Sequence, residues 1–100
     1  MFYCITSLIE KYNKQSDIFK ISKIILRSQD IREESYNKNT NGYNLPINDA
    51  VKMAFKEVDY DDPTNIMLNI ITNLNEQYWN DIQYWAESKI KEYNNNIIEK

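Results

Sequence analysis

The sequence predicts an all-α fold, a compact bundle of four or five helices with a long C-terminal helix, and three observations support that expectation. Turn formers are scarce: Gly42 is the one glycine, and Pro46 and Pro63 are the two prolines, whereas β-rich folds need many residues that accept positive φ or reverse the chain. Apolar residues recur at spacings of three and four, the period of a helix face and not the alternation of a strand. The hydrophobic fraction is 42%, enough branched aliphatic and aromatic side chains to fill a core that a disordered chain would lack. Ile and Tyr suit strands equally well by propensity, so spacing decides the matter. A chain of 100 residues cannot divide its apolar side chains between two cores, and residues 1–100 read as a single helical domain.

The first helix is expected from Phe2 to Asn13, with Ile5, Leu8 and Ile9 on one face. Ser16 fits the N-cap of a second helix reaching Glu34, because its hydroxyl can accept from a free first-turn amide and Asp17 favours the positive end of the helix dipole. Within it Ile18, Ile21, Ile24, Ile25 and Ile31 share a face, opposite Lys20, Lys23, Arg27, Asp30 and Glu34. From Tyr36 to Ile47 the Asn, Thr, Gly and Pro residues read as a long loop in which Tyr43 could serve as a contact. A short third helix follows Asn48 or Asp49 as cap, with Val51, Ala54, Phe55 and Val58 on one side. Asp62 followed by Pro63 reads as the next helix start, proline taking a first-turn position where its missing N–H costs nothing. Met67, Ile70, Ile71, Leu74, Tyr78, Ile82 and Trp85 then keep one stripe. The segment is therefore expected to be one long helix to about Tyr93, with any kink near Asn73 to Asn75 and a frayed tail from Ile97.

Charge divides unevenly. Residues 1–50 hold seven cationic and six acidic side chains, and residues 51–100 hold five and nine, so the acidity is mostly C-terminal. An acidic chain is repelled by phosphate backbones, and a nucleic-acid binder must overcome this with a concentrated basic face. Lys20, Lys23 and Arg27 are the best stripe available, but Asp30 and Glu34 continue it and neutralise part of it, so nucleic acid is disfavoured as a partner. Cys4 is the one cysteine: no internal disulfide and no cysteine-based zinc site can form, which fits a reducing, cytoplasmic setting. Phe2 to Ile9 is too short and lacks the preceding basic residues of a signal peptide, and no apolar run approaches the roughly 20 residues that span a bilayer.

Chemistry is hard to build from this composition. There is no histidine, which removes the usual general base and the commonest metal ligand. One isolated glycine cannot form a phosphate-cradling loop. The chain therefore reads as non-enzymatic, with no catalytic residue and no cofactor. Glu57, Asp59, Asp61 and Asp62 cluster around Tyr60, but a calcium loop is ruled out because Pro63 follows the acids, no turn glycine is present and Ile70 stands where a bidentate glutamate belongs. No metal is expected. The run reads either as a solvated connection between helices or as a partner-binding surface.

The aromatic repeat is more informative. Gln77, Tyr78, Trp79 is echoed by Gln83, Tyr84, Trp85, and adjacent helical residues point about 100° apart, so the members of each pair cannot share one groove. Tyr78 and Trp85 fall on the core stripe, while Trp79 and Tyr84 project elsewhere. These two are candidate interface anchors, for a different protein or for a homodimer. Small size, acidity, absent catalytic groups and spare aromatics suggest a protein-binding inhibitor, most concretely a bacterial immunity protein or antitoxin that masks the active site of a basic toxin such as a nuclease. In that reading Glu57, Asp59, Asp61 and Asp62 steer the partner, and Tyr60, Trp79 and Tyr84 fill pockets on it. A phage-encoded inhibitor of a host defence complex would use the same physics. A small nucleic-acid-binding regulator using the basic stripe, and a small enzyme using paired carboxylates in a concave pocket, are the readings from other classes.

Overall fold

The computed structural model describes residues 2–38 and 45–98. They form five helices and no strand: α1 (Phe2–Tyr12), α2 (Gln15–Lys38), α3 (Ile47–Glu57), α4 (Ile66–Gln77) and α5 (Trp79–Ile98). The all-α bundle of five helices is as the spacing predicts. Gly42 and Tyr43 of the expected loop lie outside the described residues. No described helix is long and apolar enough to cross a membrane.

Helix ends depart from expectation where local chemistry found a different partner. Asn13 closes α1 by donating its side-chain amide to the Ile9 carbonyl at 2.9 Å, satisfying one of the free acceptors at a helix end. α2 begins at Gln15, so Ser16 lies inside the first turn instead of capping it, and the helix continues to Lys38, past Tyr36. Pro46, not Asn48 or Asp49, occupies the N-cap of α3. Asn48 instead reaches across to donate to the Thr72 hydroxyl at 3.3 Å.

The start of α4 is the instructive case. Asp62 does cap it, accepting from the backbone N–H of Met67 at 3.2 Å and of Leu68 at 2.9 Å, but Pro63 is not in the first turn. Residues 62–65 form a separate turn closed by the Asn65 N–H on the Asp62 carbonyl at 3.1 Å, and Asn65 sits left-handed at φ 60°. Asparagine tolerates that region better than other residues with a Cβ. The carboxylate therefore reaches forward past that turn to find the free amides.

The expected single helix over 63–93 is two. Tyr78 leaves helical geometry at φ −135°, ψ 46°, three residues beyond the stretch expected to bend. Its N–H still donates to the Leu74 carbonyl and its own carbonyl still accepts from Ile82, so the chain swivels without losing those bonds. Gln29 of α2 enters the bend and donates to the Trp79 carbonyl at 3.1 Å, the kind of side-chain insertion that kinks helices. α5 then runs to Ile98, through Asn94 to Asn96 and beyond Tyr93. Tyr93 stacks on Phe19 of α2 with ring centroids 4.3 Å apart, and this packing overrides the weak helical propensity of asparagine.

α2 is the helix that touches all four others; α3 and α5 flank it, and α4 packs against both. The central element of the bundle is therefore α2 and not the C-terminal helix. The core is a continuous set in which Ile21, Ile24 and Ile25 of α2 meet Val51 and Ala54 of α3, Ile71 and Leu74 of α4, and Ile82 and Ala86 of α5, each with 1% exposure or less. The predicted faces of α2 and of the Met67 to Trp85 stripe are thus the buried ones, with Ile18, Ile70 and Tyr78 at their half-buried edges.

A polar cluster lies inside this apolar core. Ser28, Gln29 and Asn75 are 2%, 3% and 1% exposed. Gln29 donates to the Asn75 side-chain oxygen at 3.2 Å, Asn75 donates to the Ser28 hydroxyl at 3.0 Å, and Ser28 donates to the Ile25 carbonyl at 2.7 Å. Such a network is favourable only while every member is satisfied. Asn75→Ala would orphan groups on both Gln29 and Ser28, and urea denaturation is expected to show a loss of about 2 kcal/mol or more. Ser22 provides the contrast, because its hydroxyl is fully buried without a hydrogen-bond partner. Ser22→Ala is expected to be neutral or stabilising in the same assay.

Candidate functional site

The acidic corner is built where α3 ends. Val58 leaves the helix in an extended conformation, the Tyr60 N–H turns back to the Val58 carbonyl at 2.9 Å, and the chain reaches α4 through the Asp62 turn. This short path places Tyr60 half-buried, with its ring edge on Phe55 at 6.1 Å between centroids. On one side of Tyr60 lies a polar hollow of about 270 Å³ lined by Asp17, Lys20, Asp59 and Asp61. On the other lies a cleft of about 390 Å³ whose walls include Phe55, Leu68, Lys52 and Lys56.

The four acids predicted to act together have different surroundings. Glu57 accepts from the Arg27 side chain at 2.8 Å, and Glu34 adds a second contact to Arg27 at 3.5 Å. The Glu57 bond, more than any other influence, holds the Arg27 guanidinium above its ordinary pKa against the opposing effect of burial. Asp62 is occupied by the α4 amides. Asp59 and Asp61 remain exposed and form no ion pair among the described residues. They are joined by Asp17 from the first turn of α2, a residue that the sequence reading assigned only to the helix dipole. Nothing in the sequence spacing could have linked positions 17 and 59, because the link is the packing of α3 against α2. Burial, then Asp17, Asp62 and Asp61, raise the Tyr60 hydroxyl above its usual value near 10.0.

The aromatic anchors are also separated. Trp79 is half-buried, with the Arg32 guanidinium over its ring at 5.6 Å, and Arg32 is itself tied to the Leu45 carbonyl at 3.1 Å. Lys20 and Arg32 lie about 18 Å apart along α2 at roughly 1.5 Å per residue, so Trp79 is far from the acidic hollow. Tyr84 is 77% exposed and flanks a different cleft, between α1 and α5. The basic stripe is weakened in the same way: Arg27 is engaged by two glutamates, Lys23 lies over the Phe19 ring at 5.3 Å, and Lys20 faces the acids. No group of three or more acidic or sulfur ligands among the described residues could hold a metal ion. No protein-family model, curated protein or solved structure matches the chain at a significant level.

Two measurements separate structural from available acids. Asp62→Ala should cost about 1 kcal/mol in urea denaturation through loss of the cap, whereas Asp59→Ala should stay within about 0.5 kcal/mol of the parent. The Tyr60 shift has a definite sign. A phenol whose pKa is raised on folding stabilises the folded state fully below the unfolded value, and that contribution disappears as pH rises through the folded value. Stability should therefore fall above about pH 10, less steeply in Tyr60→Phe, and ultraviolet titration should find Tyr60 ionising nearer its ordinary value in Asp17→Asn/Asp61→Asn.

Proposed function

We propose that this chain is a non-enzymatic binding protein that neutralises a basic partner, most concretely an immunity protein or antitoxin that covers the active site of a basic toxin such as a nuclease. The observation that supports this reading is the hollow beside Tyr60, where Asp17, Asp59 and Asp61 face one lysine. Asp59 and Asp61 already protrude and are not spent on the fold. Such a surface steers an oppositely charged protein during encounter, and a partly buried aromatic beside it offers a contact once the partner has docked. Glu57 and Asp62 leave the binding set in this reading, Asp17 enters it, and Trp79 is a supporting residue under Arg32. The reading also puts the chain in the cytoplasm, where the exposed Cys4 thiol would stay reduced.

The test is capture of the partner from the native host, followed by association kinetics of the isolated pair. Asp17→Asn/Asp59→Asn/Asp61→Asn should lower the association rate about tenfold or more at low salt and converge on the parent protein at high salt. Equal rates at low salt, or capture of an acidic partner, would exclude the reading.

A further inference from the structure

The cleft between α1 and α5 has a different character from the acidic hollow. Its volume is about 280 Å³, and its walls are mostly aromatic: Phe2 and Tyr3 from α1, Tyr84 from α5, with buried Trp85 at its base. Phe2 is locked in place by an edge contact with Tyr3 at 5.4 Å and a tilted contact with Tyr78 at 5.3 Å. Tyr3 and Tyr84, by contrast, are 80% and 77% exposed. Two large rings held beside one cleft with little of their surface covered are not explained by the core, which neither of them enters.

The charges around this cleft favour a cation. Asp81 lines it and has no ion pair among the described residues. Lys89 also lines it, but its ammonium is engaged by Glu10 of α1 and by Glu92 at 3.1 Å. Burial disfavours the charge on Lys89, yet the two glutamates outweigh it and hold the group above its ordinary value. Lys89 with its two glutamates is therefore net negative, and Asp81 adds a further negative charge. Glu87 and Lys91, which follow Tyr84 at helical spacing on α5, are of opposite sign and offset each other. Aromatic faces attract cations through their negative quadrupole, and the attraction grows when the pair is shielded from water.

We propose that this cleft receives an arginine side chain of a protein partner, with the guanidinium against the Tyr3 and Tyr84 rings and its charge balanced by Asp81. Arginine fits better than lysine because its planar, weakly hydrated head stacks on rings and forks onto a carboxylate. The exposure of Tyr3 and Tyr84 leaves the cleft open to an arginine presented on a peptide or protein chain, and a docked protein surface would roof the cleft and strengthen every contact inside. The proposal rests on the reading of a basic partner, and it gives Tyr84 and Asp81 a contact that is separate from the acidic corner.

The experiment titrates the isotope-labelled full chain with acetyl-Gly-Arg-Gly-amide at low ionic strength, with the citrulline peptide as an uncharged counterpart of nearly the same shape. Saturable NMR shifts are expected at Tyr3, Asp81, Tyr84 and the Trp85 indole. Affinity should be about threefold or more weaker for citrulline, and should fall by a similar factor in Tyr84→Ala and in Asp81→Asn. Both side chains are exposed, so neither substitution threatens the fold, and unchanged circular dichroism checks this. Equal binding of the two peptides, no saturable shift, or shifts centred on Asp59 and Asp61 would overturn the proposal. Those outcomes are distinct from failure of the basic-partner reading, which is decided by capture and by the acidic-corner variants without reference to the peptide.

Discussion

Gln29 enters the bend at Tyr78, and the arrangement of the C-terminal half follows from that insertion. One side-chain amide bonds both the Asn75 oxygen and the Trp79 carbonyl, so α4 and α5 are pinned to the middle of α2 at the point where they change direction. An uninterrupted helix from residue 66 onward could not lie along both α3 and α2. The bend lets α4 pack on α3 while α5 lies along α2, and each keeps part of the apolar stripe facing one core. The cost of burying three polar side chains is offset because each finds a partner, and their bond directions tie the bend to one place on α2.

The same bend sets the positions of the aromatic residues that the sequence repeats. Tyr78 turns onto Phe2 and anchors the start of α1, Trp79 falls under Arg32, and Trp85 enters the core with Tyr84 left outside it. Periodicity correctly assigned Tyr78 and Trp85 to the stripe and Trp79 and Tyr84 to other sides. It could not see that Trp79 would be partly covered, because the covering residue, Arg32, is distant in sequence.

Acidic residues sort by a different rule. Glu57 and Asp62 look equivalent to Asp59 and Asp61 in the sequence, yet they do structural work because each lies within reach of a group that needs a charge: a guanidinium on α2 in one case, free amides of α4 in the other. Asp59 and Asp61 sit on the connection between those fixed points and find no such group. What remains unpaired at this surface is the charge left over after the fold has satisfied its own requirements.

The sequence by itself determined the all-helical fold, the buried faces of α2 and of the residues 67–85 stripe, and the capping role of Asp62. These depend on spacing and on near neighbours, which a linear chain displays directly. Tertiary structure decided the break at Tyr78, the extension of α5 through Asn94 to Asn96, the pairing of Glu57 with Arg27, and the meeting of Asp17 with Asp59 and Asp61. Each of these depends on side chains brought together from different helices, where contact energy between distant positions outweighs the few tenths of a kcal/mol per residue, roughly, that separate local preferences.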